Sequence, residues 1–121
     1  LSGLCFENGG LSIAHSMTRG LSALPETAHA LHGLQVAYGT LMQWQLENRS
    51  LQFMAEMRAF YQRIGLPLNL RQLGLPRAAS PADLQAIAEP THAAPHMRHF
   101  GRSLTVQDLV QAMADIEALP T

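Results

Sequence analysis

The chain predicts an all-α fold, a bundle of about five or six helices, and three observations carry that expectation. Strand signals are nearly absent: there is no sustained apolar–polar alternation, and no Asn-Gly or Asp-Gly turn joins two alternating runs. Apolar residues recur instead at helical spacing in several separate segments. Residues that start and stop helices stand at the ends of those segments.

Taken in order, Leu11-Ser12-Ile13-Ala14-His15-Ser16-Met17-Thr18-Arg19-Gly20 is a helix-like run of mostly small residues. Small side chains let another helix, or a substrate, approach closely. Residues 21–27, with Pro25, read as a loop. His32 then opens a helix just before Gly33. Residues 34–48 are apolar on more than one face, which marks a central helix. Phe53, Met54, Met57, Phe60, Tyr61 and Ile64 form the next apolar stripe, ended by Gly65 and Pro67. Residues 66–79 are irregular and Pro-rich. Ser80 as N-cap and Pro81 at the first helical position begin another helix, expected to end by Pro90. Residues 91–103 read as a second loop, holding His92, His96 and His99. In the last segment Leu109, Val110, Met113 and Ile116 share one face, while Asp108, Gln111 and Asp115 take the other. Thr105 and Asp108 are spaced as a capping box.

Composition narrows the function. The 121 residues are one domain's worth of chain, 47% hydrophobic, with a formal net charge of −1. That balance fits a soluble globular protein and excludes the basic face a nucleic-acid binder needs. All eight cationic side chains are arginine, and they are scattered. The single Cys5 cannot form an intrachain disulfide, which points to a reducing compartment and hence the cytoplasm. No apolar run approaches the ~18 residues that would span a bilayer. There is no Gly-rich phosphate loop after a strand and no Ser-His-Asp or Cys-His constellation. The chain reads as the C-terminal piece of a longer protein, with Leu1 an internal position.

His15 and His32 carry the sharpest chemical signal. Neutral imidazole is the commonest metal ligand, and two on neighbouring helices can share an ion that one helix could not reach alone. The plain alternative is a pair of helix-cap or surface histidines. Their imidazoles are expected near each other on a concave face. His29 stands three residues before His32, and His96 three before His99, the HxxH spacing that can clamp a metal or simply decorate a surface. Arg19, one turn beyond His15, could attract an acidic substrate or merely be solvated.

These residues also resemble a known family. Phe6-Glu7-Asn8-Gly9-Gly10-Leu11, Ala14-His15, Gly20-Leu21, Leu31-His32-Gly33, Val36-Ala37-Tyr38-Gly39-Thr40-Leu41 and Arg63-Ile64-Gly65-Leu66-Pro67-Leu68 are similar to the metal-binding part of the glycerol dehydrogenase-like branch of the iron-containing alcohol dehydrogenase superfamily. The resemblance implies that residues 1–121 are the C-terminal helical metal-binding domain of a dehydroquinate synthase-like fold. It implies reversible hydride transfer between an alcohol, polyol or hydroxy acid and a nicotinamide cofactor. His15 and His32 would be two metal ligands, and an aspartate outside these residues the third. That donor set with an open position suits a catalytic divalent ion, zinc in preference to iron. NAD or NADP would bind mainly to a nucleotide-binding domain absent from this stretch, so the stretch alone would be inactive. Phe6 would lie beside the substrate, although nine positions on one straight helix would set it opposite His15 unless Gly9-Gly10 bends the chain. One of His96 and His99 would line the cleft. Thr18 stands where many relatives carry a second histidine, so any proton relay must differ. The family is oligomeric, and Leu11, Ile13 and Met17 are expected on an exposed apolar face that favours a homo-oligomer. The rival reading is a stand-alone or degenerate helical binding or oligomerisation module without dehydrogenase activity.

Overall fold

The computed structural model describes residues 12–94 and 104–119, and among them there is no strand. Six helices follow in order: α1 (Ser12–Ala23), α2 (Pro25–Ala28), α3 (His32–Leu46), α4 (Leu51–Ile64), α5 (Pro81–Ala93) and α6 (Val106–Ala118). A 3₁₀ turn, Arg71–Leu73, interrupts the segment between α4 and α5. The all-α bundle expected from the sequence is the observed architecture.

Helix ends match expectation where a side chain does the capping. The Ser80 and Thr105 hydroxyls accept the amides of Asp83 and Asp108, and those carboxylates accept the amides of Ser80 and Thr105. Both reciprocal pairs satisfy amides that have no intrahelical partner. α4 begins on the Ser50 hydroxyl, which accepts from Phe53 N–H, and ends at Gly65 in the left-handed region.

Two boundaries differ from the sequence reading. Residues 21–27 are not a loop: α1 runs to Ala23, and Pro25 is the first residue of α2. Proline suits that position, because its missing amide would be unpaired anyway and its φ is already helical. The buried Thr27 hydroxyl ties the junction by donating to the Leu21 carbonyl. Pro90 does not end α5 either, which continues to Ala93. A proline inside a helix loses its own amide bond and crowds the carbonyl one turn back, so the turn beyond it must be held by other contacts. The next turn is held by packing, with Ile87 and Thr91 fully buried and the Thr91 hydroxyl donating to the Ile87 carbonyl. The helix stops at Ala94, which is extended (ψ 144°). Pro95 follows, and the residue before a proline is pushed out of the helical region. Only the remainder of the expected loop, 95–103, follows, and it lies outside the described residues.

α1 is the axle of the fold, packed against α3 on one side and α5 on another. Both approaches use glycine. A Cβ at Gly39 would stand 2.8 Å from the Cα and carbonyl oxygen of Ala14. A Cβ at Gly20 would strike the Ile87 carbonyl oxygen and the Thr91 hydroxyl. On α3, Gln35, Gly39 and Gln43 are spaced four apart and form the stripe that meets α1 and α2. Gln43 Oε1 accepts the Ile13 amide at 2.8 Å, an orphan donor of the first turn of α1. Gln35 Nε2 donates to the Thr27 carbonyl at 3.0 Å.

This arrangement corrects the expected exposed face. Ile13 and Met17 are fully buried, because α1 is enclosed by α3 and α5. Leu11 lies outside the described residues. The apolar side chains that do face solvent are elsewhere. Leu51 is 90% exposed, Ile64 52% and Phe60 43%, all on α4, and Leu31 is 73% exposed. Only Met54 and Tyr61 of the α4 stripe are buried. α4 meets α3 through Trp44, whose ring stands edge-on to Phe53 at 5.2 Å and 6.2 Å from the Tyr61 ring, and through the Tyr61 hydroxyl, which donates to the Ala37 carbonyl.

A second junction joins α3, α6 and the irregular segment. The fully buried Tyr38 donates its hydroxyl to Glu117 Oε2 at 2.9 Å, and the Leu70 amide donates to the same oxygen at 3.0 Å. Burial pushes the Glu117 carboxyl up, and those two hydrogen bonds and Arg71 only partly oppose it. Leu68, Leu70, Leu73 and Leu75 are buried, so the irregular segment is itself part of the core. Arg77 fastens it outside, pairing with Asp83 at 2.6 Å and Glu26 at 3.0 Å. Its guanidinium holds both carboxyls below their ordinary range.

Gly20→Ala and Gly39→Ala should each lose roughly 1–3 kcal/mol in urea denaturation, because backbone atoms block the added methyl. Gly33 on α3 faces open space, and Gly33→Ala should be neutral or gain up to about 1 kcal/mol. Equal effects at all three positions would contradict the close packing of α1. The raised Glu117 pKa has a definite sign. Its contribution to stability is fully present below the ordinary glutamate range and is lost as pH rises through the folded value. Glu117→Gln keeps an acceptor for Tyr38 and Leu70, so its stability relative to the parent should grow from about pH 4 to about pH 7. Parallel stability curves would contradict this.

Candidate functional site

Enclosure by α3 and α5 leaves α1 one line of access. Ile13, Ala14, Ser16, Met17, Gly20 and Leu21 are buried, while His15, Arg19, Ser22 and Ala23 are exposed and Thr18 is half-buried. Positions 15, 18, 19 and 22 fall one helical turn apart, so the exposed residues form a single stripe. The small residues noted in the sequence lie mainly on the buried sides, where helices approach, and His15 lies on the open one. His32 is the first residue of α3 and is exposed.

His29 is exposed too, but it caps the C-terminus of α2, and an extended Leu31 separates it from α3. His29 and His32 are therefore not one turn apart on one helix, and the HxxH clamp considered for them does not form that way. His92 is not a loop residue. It stands in the last turn of α5 with its Nε2 at 2.8 Å from the Leu104 carbonyl oxygen, which bridges the two ends of 95–103. Phe6, His96 and His99 lie outside the described residues.

The Thr18 hydroxyl donates to the His15 carbonyl at 2.7 Å. It is turned back onto its own helix, as Ser and Thr side chains often are. Ser16, next to His15 on the buried side, is completely enclosed, and its hydroxyl has no hydrogen-bond partner.

The donor set bears on metal chemistry. His15 and His32 offer two neutral imidazoles, suited to a divalent ion of intermediate softness. Among the described residues no three His, Cys, Asp or Glu side chains are grouped so as to hold a metal. Two imidazoles supply only part of a donor set, so an ion held by them would need a further ligand. A cavity of about 570 Å³, lined by Arg71, Leu84, Ala114 and Glu117 among others, does not include either histidine.

Comparison with known proteins shows the family. The chain is 42% identical to a glycerol dehydrogenase of Escherichia coli O6:H1 over 89 residues, 74% of this chain and 24% of that protein. The chain belongs to the glycerol dehydrogenase-like branch of the iron-containing alcohol dehydrogenases. It corresponds to the helical C-terminal part of that family. A glycolaldehyde reductase of Halobacterium salinarum is 43% identical over 89 residues, again 74% of this chain and 24% of that protein. Among solved structures, a probable glycerol dehydrogenase from Sinorhizobium meliloti 1021 superposes with a TM-score of 0.83 at 35% identity, covering 96% of this chain and 33% of that one. No family model matches the sequence. The chain spans about a quarter of the length of the curated relatives it matches.

Three structural features had no sequence signal strong enough to single them out. The paired glutamines of α3, the Glu117 junction and the Arg77 clamp depend on partners six or more residues away, beyond one helical turn. The four-residue spacing of Gln35, Gly39 and Gln43 is the one local clue, a polar and small stripe on an otherwise apolar helix.

Proposed function

We propose that the protein containing this chain is a metal- and NAD(P)-dependent oxidoreductase, interconverting an alcohol or polyol of the glycerol type, or a hydroxy acid, with its carbonyl form. The observation that carries the reading is the match to glycerol dehydrogenases at 42% identity over 74% of the chain. It is supported by His15 standing on the one exposed stripe of an otherwise buried helix.

His15 and His32 are the residues that would hold the metal, zinc in preference to iron, with a third ligand contributed from elsewhere. When bound, the ion would polarise the substrate hydroxyl and favour loss of hydride to the nicotinamide. The chain's own part is to position those imidazoles. α1 is rigidly seated by Gly20 and Gly39, so His15 rests on an element that cannot shift without unpacking the core. Thr18 takes no proton: a hydroxyl is not a base near neutral pH, and this one already donates to the His15 carbonyl. The substrate proton must therefore leave through another group or water. The nucleotide would be held mainly outside these 121 residues.

The substrate is a small molecule, with no role for nucleic acid. No helix among the described residues is long and apolar enough to cross a membrane. A cytoplasmic location and a homo-oligomeric state belong to the same proposal. The exposed Phe60 and Ile64, one turn apart on α4, support association, since neighbouring exposed apolar side chains favour it.

The test is nicotinamide reduction by the intact protein with glycerol, 1,2-propanediol and 2-hydroxybutanoate, before and after chelation. Turnover should fall on chelation and return with zinc. His15→Ala and His32→Ala should each lower kcat/KM at least ~100-fold while changing stability by no more than about 0.5 kcal/mol, as exposed positions do. Full activity in both variants would remove the ligand assignment. Absence of turnover in the metal-loaded parent would favour a degenerate helical module.

A further inference from the structure

Arg19 is exposed on α1 one helical turn beyond His15. Side chains at i and i+4 on a helix share a face, with Cβ atoms about 5–6 Å apart. The guanidinium and the imidazole therefore stand on the same open stripe. Among the described residues Arg19 makes no hydrogen bond and no ion pair; the ion pairs found there belong to Arg49 and Arg77. Thr18 between them brings no competing charge, and its hydroxyl is committed to the His15 carbonyl. No carboxylate of α1 is available to neutralise Arg19, since the helix contains no acidic residue.

An uncommitted guanidinium next to a reacting centre has a specific chemistry. It is charged at every working pH and binds a carboxylate through paired, charge-assisted hydrogen bonds. We propose that Arg19 is a specificity residue selecting a substrate whose carboxylate is bonded to the carbinol carbon, that is, a 2-hydroxy acid in preference to an uncharged polyol. The proposal rests on the assignment of His15 to the metal site. In the reaction, the carbinol C–H bond breaks and its electron pair leaves as hydride to NAD(P)+. The hydroxyl proton is released, and the C–O bond becomes the carbonyl of a 2-oxo acid. A carboxylate one bond from the reacting carbon stays within the single turn that separates Arg19 from His15.

The experiment compares 2-hydroxybutanoate with 1,2-butanediol, which share a carbon skeleton, on the intact protein and on Arg19→Gln, Arg19→Lys and His15→Ala. Calorimetric binding of 2-oxobutanoate provides a readout independent of turnover. The parent should prefer the acid at least ~10-fold in kcat/KM, and Arg19→Gln should lose ~10–100-fold on the acid, mainly through KM. Its diol kinetics should stay within ~2-fold of the parent, 2-oxobutanoate binding should weaken in parallel, and Arg19→Lys should recover part of the loss. Equal effects of Arg19→Gln on both substrates, no effect on either, or a parent that prefers the diol would overturn the role of Arg19 alone, provided His15→Ala abolishes turnover of both. If His15→Ala leaves both intact, or the parent oxidises neither, the metal-site assignment fails and this proposal fails with it.

Discussion

The rest of the structure depends on how closely other helices can approach α1. At Gly39 the backbone of α3 comes against Ala14, and at Gly20 the backbone of α5 comes against α1, each with no room for a single methyl. Helices this close exclude water along most of α1, which explains why Ser16 is buried although nothing pairs with its hydroxyl. The polar ends of the packing are closed by Gln43 on the Ile13 amide and Gln35 on the Thr27 carbonyl. Buried amide side chains are costly unless they are paired, so these two bonds also fix the register of α3 against α1.

That packing has a functional consequence. A helix enclosed on two sides exposes only one line of residues, and here the line carries His15, Thr18 and Arg19. An imidazole on such a helix is held far more rigidly than one on a loop, which is what a metal ligand requires. His32 gains its position differently. It opens α3 directly after a connection pinned by Thr27 and Gln35. Both candidate ligands therefore stand on elements tied to the same core. Under the proposal a third ligand would have to come from elsewhere, because the described residues contain no group of three that could hold a metal.

Much of the fold was legible in the sequence. The central helix was visible in the apolar residues around Leu41 and Met42, and the starts of α5 and α6 in Ser80, Pro81 and Thr105. These are local signals, set by residues three or four apart. The failures came where tertiary packing overrode local chemistry. Pro90 normally marks a helix end, yet Ile87 and Thr91 are buried against α1 and carry α5 past it. Ile13 and Met17 looked like a spare apolar face because their partners, α3 and α5, are not contiguous with them in the chain. Of the α4 stripe only Met54 and Tyr61 are buried, while Phe60 and Ile64 face solvent, since helical period reports a face and not what covers it. At the site, His15 and His32 stood out by context and by family resemblance. The isolation of Arg19 and the inward turn of Thr18 became visible only with side chains in place.

The central claim is that His15 and His32, presented by α1 and the start of α3, hold one metal ion. Anomalous diffraction at the zinc edge, from crystals of the intact zinc-loaded protein, tests it most directly. The account requires one anomalous peak with a ring nitrogen of each histidine about 2.0–2.1 Å away. A zinc peak that neither imidazole touches, or rings that lie too far apart to share an ion, would contradict it.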